Sequence, residues 1–164
     1  MCIRDSLGTN RNKRSITVDI ARPEGQALIR RMALACDVFV ENYKVGDMAR
    51  YGLDYASLQA LNPRLVYCSV TGFGQTGPYA PLAGYDFMIQ GMAGVMDLTG
   101  FPDGPPMKAG YATADIYCGL YAAIGILAAL RRRGPSGTAG PSRGCRRRRR
   151  WHGRRRRSWP AARP

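Results

Sequence analysis

Histidine is nearly missing from this 164-residue chain. The single one, His152, sits among arginines near the C-terminus. A Ser–His or Cys–His catalytic pair is thereby excluded from the body of the protein, because the general base is lacking. Cysteines number five (Cys2, Cys36, Cys68, Cys118 and Cys145), an odd count with no CxxC pair. That argues against a zinc site or a disulfide framework and fits a reducing, cytoplasmic setting. No apolar stretch opens the chain, so no signal peptide is expected. The longest uncharged apolar run, Ile116 to Leu130, is 15 residues. It falls short of the roughly 18–20 needed to span a bilayer, which favours a buried core helix and no membrane role.

Acids are also scarce, 11 against 25 Lys and Arg, for a net charge of +14. The excess is local. Residues 134–164 hold 11 of the basic residues and no acid, which leaves the first 133 residues at +3. That tail has no apolar periodicity and is expected to be disordered. It can be read as a nucleic-acid-binding arm or as a solvated tail. Its Arg, Gly, Pro, Ala and Trp are also what GC-rich DNA encodes out of frame, and the composition changes abruptly after Arg133. A frameshifted tail is the favoured expectation, with no nucleic-acid partner. The opening residues 1–9, "MCIRDSLGT", are read as a partial or non-native leader.

What remains, residues 10–133, alternates strand and helix signals. "SITVDI" (15–20) reads as a strand from its β-branched residues. Pro23 and Glu24 suit the first turn of a helix, and Leu28, Ile29, Met32, Ala33 and Cys36 give it one apolar face. "DVFVEN" (37–42) is a second strand, and "YASLQAL" (55–61) is a helix stopped by Asn62-Pro63. "RLVYCSV" (64–70) is a third strand, apolar enough to be covered on both faces. A Gly/Pro-rich loop follows over 71–86, then helices over about 87–96 and 114–131. Alternation of this kind indicates an α/β fold with a parallel, Rossmann-like sheet. The 71–86 loop leaves a strand's C-terminal end, where ligands bind in open α/β sheets. Its Gly72, Gly74 and Gly77 lack the Gly-Lys-Ser/Thr ending of a phosphate-binding P-loop.

Asp115 heads the most apolar run of the chain. Two readings stand side by side: a helix cap, common for aspartate, and a reactive carboxylate. Asp86 likewise precedes an apolar helical run. Lys13, Arg14 and Arg50 can meet phosphates or simply face water. Tyr43 and Tyr85 can stack on a base or fill a core.

Taken together, "VENY" (40–43), "LNPRLVY" (61–67), "GFGQTGPY" (72–79), "GYD" (84–86) and "AD" (114–115) ahead of "GLYAAIGILAAL" (119–130) resemble the class III CoA-transferases, the CaiB/BaiF type that includes formyl-CoA and carnitine CoA-transferases. The resemblance implies that Asp115 is the nucleophile, forming aspartyl-anhydride and aspartyl-CoA intermediates between an acyl-CoA donor and a carboxylic acid acceptor. No metal is implied, and coenzyme A enters as part of the substrate. The resemblance further implies CoA contacts at Val18, Asp19, Ile20 and Ala21; at Asn42, Tyr43 and Lys44; at Arg50; and at Ala83, Gly84, Tyr85 and Asp86. It implies a homodimer for the complete enzyme. Related α-methylacyl-CoA racemases use a His in a "GHD" motif; Tyr85 stands there in this chain, which favours transfer over racemisation. The family's first strand before "NKRS" (12–15) and its "TGRGQ" continuation after Arg133 are not found, so the chain is expected to be an inactive fragment of such an enzyme.

Overall fold

Proline at the first helical position has its backbone angle preset for a helix and no N–H to leave unpaired. Helix α1 accordingly begins at Pro23 and runs Pro23–Ala35, with Glu24 in its first turn. The computed structural model describes residues 9–133; residues 1–8 of the 1–9 leader and the tail from 134 lie outside the described residues. After α1 come strand β1 (Val38–Glu41), a short helix α2 (Asp47–Arg50), helix α3 (Tyr55–Leu61), strand β2 (Val66–Ser69), helix α4 (Asp86–Met92) and helix α5 (Thr113–Arg132).

β1 and β2 pair in parallel, Val38 opposite Val66 through Glu41 opposite Ser69. A parallel pair needs a crossover connection, and α2 and α3 supply it. Alternation along the strands sets one face inward. Phe39 and Tyr67, opposite each other in register, stack at 5.3 Å and pack on the core of Ala33, Met48, Leu53, Leu58 and Leu65. The other face of β2 meets α5.

Asn62 ties two helix ends together. Its side-chain amide donates to the carbonyls of Ala33 (2.9 Å) and Cys36 (3.2 Å), and its Oδ1 accepts from the Arg64 amide at 3.0 Å. It thus satisfies carbonyls that the end of α1 leaves unpaired. Asn62→Ala should destabilise the fold by about 1–2 kcal/mol, the worth of one or two such bonds. A thermal unfolding midpoint equal to that of the unmodified chain would contradict this role.

Several expectations change. Residues 15–20 form no strand, Ile20 already lies in a turn, and Ile16 stays exposed. Strand propensity needs a neighbouring strand to express itself, and none pairs with this segment among the described residues. Full coverage of β2 on both faces is not seen either. Only Val66 is buried, because the sheet among the described residues has two strands. Helix α4 stops at Met92 rather than 96. Gly94 adopts φ +76°, a left-handed turn that ends the helix.

Helix α5 has 20 residues, one more at each end than the expected 114–131. Among the described residues it is the one helix long and apolar enough to cross a membrane by length and composition. Its contacts are with β2 and α4, which makes it part of the α/β layer. It is not the buried core helix expected. Ile116, Leu120, Tyr121, Ile124 and Leu127 are exposed, since only one side of the helix meets other described residues.

Candidate functional site

The direction of α5 is fixed at both ends. Arg133, just past its C-terminus, donates to the Arg64 carbonyl at 2.8 Å and pairs with Asp37. Arg64 and Asp37 precede β2 and β1, so α5 runs antiparallel to both strands. Its N-terminus therefore arrives at their C-terminal edge, where open parallel sheets bind ligands.

A cavity of about 350 Å³ opens there, of the size of small-molecule sites. Asn42, Tyr43 and Lys44 line it from the end of β1, Thr71 and Gly72 from the end of β2, Ala83 to Asp86 from the approach to α4, and Asp115 from the first turn of α5. An adjoining cavity of about 340 Å³ shares Asn42, Tyr85 and Asp115 and adds Cys118. A third, of about 540 Å³, shares Lys44 and Val45 and extends along α2 to Met48 and Ala49.

Eight of the thirteen residues implied by the sequence resemblance thus converge: Asn42, Tyr43, Lys44, Ala83, Gly84, Tyr85, Asp86 and Asp115. Val18, Asp19, Ile20 and Ala21 do not. They lie at the start of α1, where Asp19 caps a turn by accepting the Ala21 amide through its own carboxylate at 3.0 Å. Arg50 is also off the cavity walls; it is exposed and pairs with Asp47 at 3.7 Å. Tyr43 and Tyr85 are both exposed at the cavity rather than packed in the core.

The capping reading of Asp115 does not hold. The helix starts at Thr113 with Ala112 before it, and Asp115 lies inside the first turn without capping it. The cap comes from α4 instead. Asp86 Oδ1 accepts the amides of Ala114 (2.8 Å) and Asp115 (3.3 Å). Its other oxygen accepts from Gln90 Nε2 at 2.6 Å. Gln90 is buried, and its Oε1 accepts the Ala109 amide at 2.9 Å while Nε2 also reaches the Tyr111 carbonyl at 3.3 Å. Sequence reasoning overlooked Gln90. Its signal was a lone polar residue one helical turn after Asp86 in an otherwise apolar stretch.

The Asp115 carboxyl binds its proton more tightly than an ordinary aspartate. Partial withdrawal from water is the main cause, and the charge of Asp86 adds to it. The ionised form of this carboxyl therefore carries an electrostatic cost. Among the described residues no group of three or more His, Cys, Asp or Glu side chains is gathered as metal ligands.

Comparison with known proteins gives a consistent result. The sequence profile of CoA-transferase family III matches residues 6–141, four residues earlier and eight later than the motifs alone delimited. A succinate–glutarate CoA-transferase of Agrobacterium fabrum is 61% identical over 122 residues, covering 74% of this chain and 30% of that protein. The human succinyl-CoA:glutarate CoA-transferase is 45% identical over 124 residues, covering 76% of this chain and 28% of that protein. Among solved structures, a CaiB/BaiF family protein from Brucella suis superposes with a TM-score of 0.75 at 59% identity, over 77% of this chain and 33% of the other. The chain therefore spans about a third of the length of the relatives it matches.

Proposed function

The chain belongs to CoA-transferase family III, and from that premise we propose that it is the nucleophile-bearing segment of an enzyme moving CoA from an acyl-CoA to a free carboxylate. The observation that carries the reading is the position of Asp115. It stands in the cavity at the C-terminal edge of the parallel strands, relieved of helix capping by Asp86.

In this reading a carboxylate oxygen of Asp115 attacks the thioester carbonyl. The C–S bond breaks, leaving a mixed anhydride and the CoA thiolate. The thiolate then attacks the aspartyl carbonyl, giving an aspartyl thioester and releasing the donor acid. The acceptor carboxylate attacks that thioester and expels the thiolate again. Attack of the thiolate on the acceptor's acyl carbon yields the new acyl-CoA and restores Asp115. No net proton moves, which suits a site without histidine. The names of the relatives support small dicarboxylic acids as donor and acceptor. The homodimer implied by the resemblance and the cytoplasmic location expected from the cysteines belong to the same reading.

Hydroxylamine trapping tests it. Incubating a complete enzyme that carries this segment with succinyl-CoA, then hydroxylamine, should place a hydroxamate on Asp115, read by peptide mass spectrometry. Label on another residue, or none during active turnover, would overturn the assignment.

Lys44 lines two of the cavities and offers a cation to the CoA phosphates or to the second carboxylate of a dicarboxylic acyl group. Lys44→Ala should raise KM for acyl-CoA about tenfold, the worth of one charge-assisted hydrogen bond, with kcat little changed. A fall in kcat at unchanged KM would instead place Lys44 in the chemistry.

A further inference from the structure

The carboxylate that caps α5 is not on α5. Ordinarily the residue just before a helix supplies that cap, but here it is Ala112, and the donors of Ala114 and Asp115 are taken by Asp86, 29 residues from Asp115 in sequence. Asp86 is itself clamped. Gln90 holds its second oxygen and, through the Ala109 amide and the Tyr111 carbonyl, holds the segment leading into α5. Gln90 is only 1% exposed, and no buried side-chain polar atom among the described residues lacks a hydrogen-bond partner. A buried, fully satisfied polar network of this kind specifies one arrangement of the elements it joins.

We propose that Asp86, held by Gln90, is a positioning residue that fixes the first turn of α5 and electrostatically favours acylation of Asp115; this rests on Asp115 being the nucleophile. The geometry has two consequences. The amides of the first turn, which would otherwise stabilise a nearby anion, are committed to Asp86. A second negative charge also stands beside the Asp115 carboxylate. When Asp115 attacks a thioester, its charge leaves on the thiolate, so the repulsion present before reaction is gone in the acyl-enzyme. The same repulsion adds, after the larger effect of withdrawal from water, to the raised proton affinity of Asp115. The other titratable groups facing this region are Tyr43 and Lys44 from the end of β1, Tyr85 before α4, Cys118 one turn along α5, and Cys68 on β2. Lys44 is the one basic side chain among them.

The test is the titration of Asp115 itself, followed by carboxyl-carbon NMR of the chain labelled at aspartate. Asp86→Asn should lower the Asp115 pKa, and Asp86→Glu, which keeps the charge, should restore much of it. An Asp115 titration unchanged by Asp86→Asn would overturn the proposal. If Asp86→Asn does not unfold cooperatively, the unmodified chain gives the answer. The amide shifts of Ala114 and Asp115 should follow the protonation of Asp86, and their indifference to it would be equally fatal. In a complete enzyme carrying this segment, Asp86→Asn should reduce kcat about tenfold with KM nearly constant. Turnover that survives Asp115→Asn would refute the nucleophile assignment while leaving the NMR result standing, so the two failures are distinguishable.

Discussion

Asp115→Asn is expected to lower CoA transfer by roughly 10⁴-fold or more, the scale seen when a covalent nucleophile is removed, while acyl-CoA still binds. The amide keeps the shape and fills the same place in the cavity wall, but its oxygen is a poor nucleophile. The same substitution should make the protein more stable at neutral pH. Because the folded Asp115 carboxyl holds its proton more tightly than in the unfolded chain, its contribution to stability is fully present below the unfolded pKa of about 4 and is lost as pH rises through the folded value. The ionised carboxylate is thus a cost of the native state at pH 7, and asparagine does not incur it. The melting temperature of the variant should exceed that of the parent at pH 7, and the gap should close as the pH is lowered below 4. Near-normal transfer by the variant, measured with succinyl-CoA and a carboxylic acid acceptor, would remove Asp115 from the chemistry. A lower melting temperature at pH 7 would show that the carboxylate is favourably held after all. Gains in stability at the expense of function are common where an active group is kept in an unfavourable setting.

The elements readable from sequence are those decided within one turn or one strand. Pro23 starts α1, Asn62-Pro63 ends α3, and the spans 37–42 and 64–70 each contain the strand expected. Segment 15–20 has the composition of a strand and is not one, because pairing is a property of two segments and composition a property of one. Gly94 was visible, but its left-handed turn was not, so α4 read four residues too long. The site shows the same division. The motifs placed Asp115 at a helix start and brought Asn42, Tyr43, Lys44 and residues 83–86 into one cavity. They could not show which carboxylate caps α5, since Asp86 and Asp115 each precede an apolar run and look alike locally. Only the packing of α4 against α5 separates their roles. Arg50 illustrates the reverse limit. A matching cation in sequence need not face the same cavity, and here it pairs with Asp47.

Gly84→Ala, like Gly72→Ala, should damage the protein more than the other small changes in the 71–86 loop. At Gly84 the backbone crosses Gly72 so closely that an added Cβ would lie 2.4 Å from the Gly72 Cα; a Cβ on Gly72 would lie 2.3 Å from the Gly84 Cα. Both obstacles are main chain, so no side chain can rotate away and the two segments must separate. Overpacking of this kind costs about 1–3 kcal/mol. The displacement is transmitted directly to the site, because Tyr85 and Asp86 are the next two residues and Asp86 fixes the first turn of α5. A shift of about 1 Å in a reacting group can cost about 10²-fold in rate, and a loss of that order in kcat is expected in a complete enzyme carrying this segment. Gly77→Ala provides the control. Gly77 has φ +103° and open space around it, so alanine there should cost about 1 kcal/mol of backbone strain and leave kcat alone. The measurements are unfolding midpoints, kcat, and the amide shifts of Ala114 and Asp115 for both variants. Equal kcat in Gly84→Ala and Gly77→Ala would mean that the crossing of residues 72 and 84 shapes the loop without holding Asp86. A loss confined to Gly84→Ala, accompanied by moved Ala114 and Asp115 amides, would trace the effect from a glycine contact, through the cap, to the carboxylate.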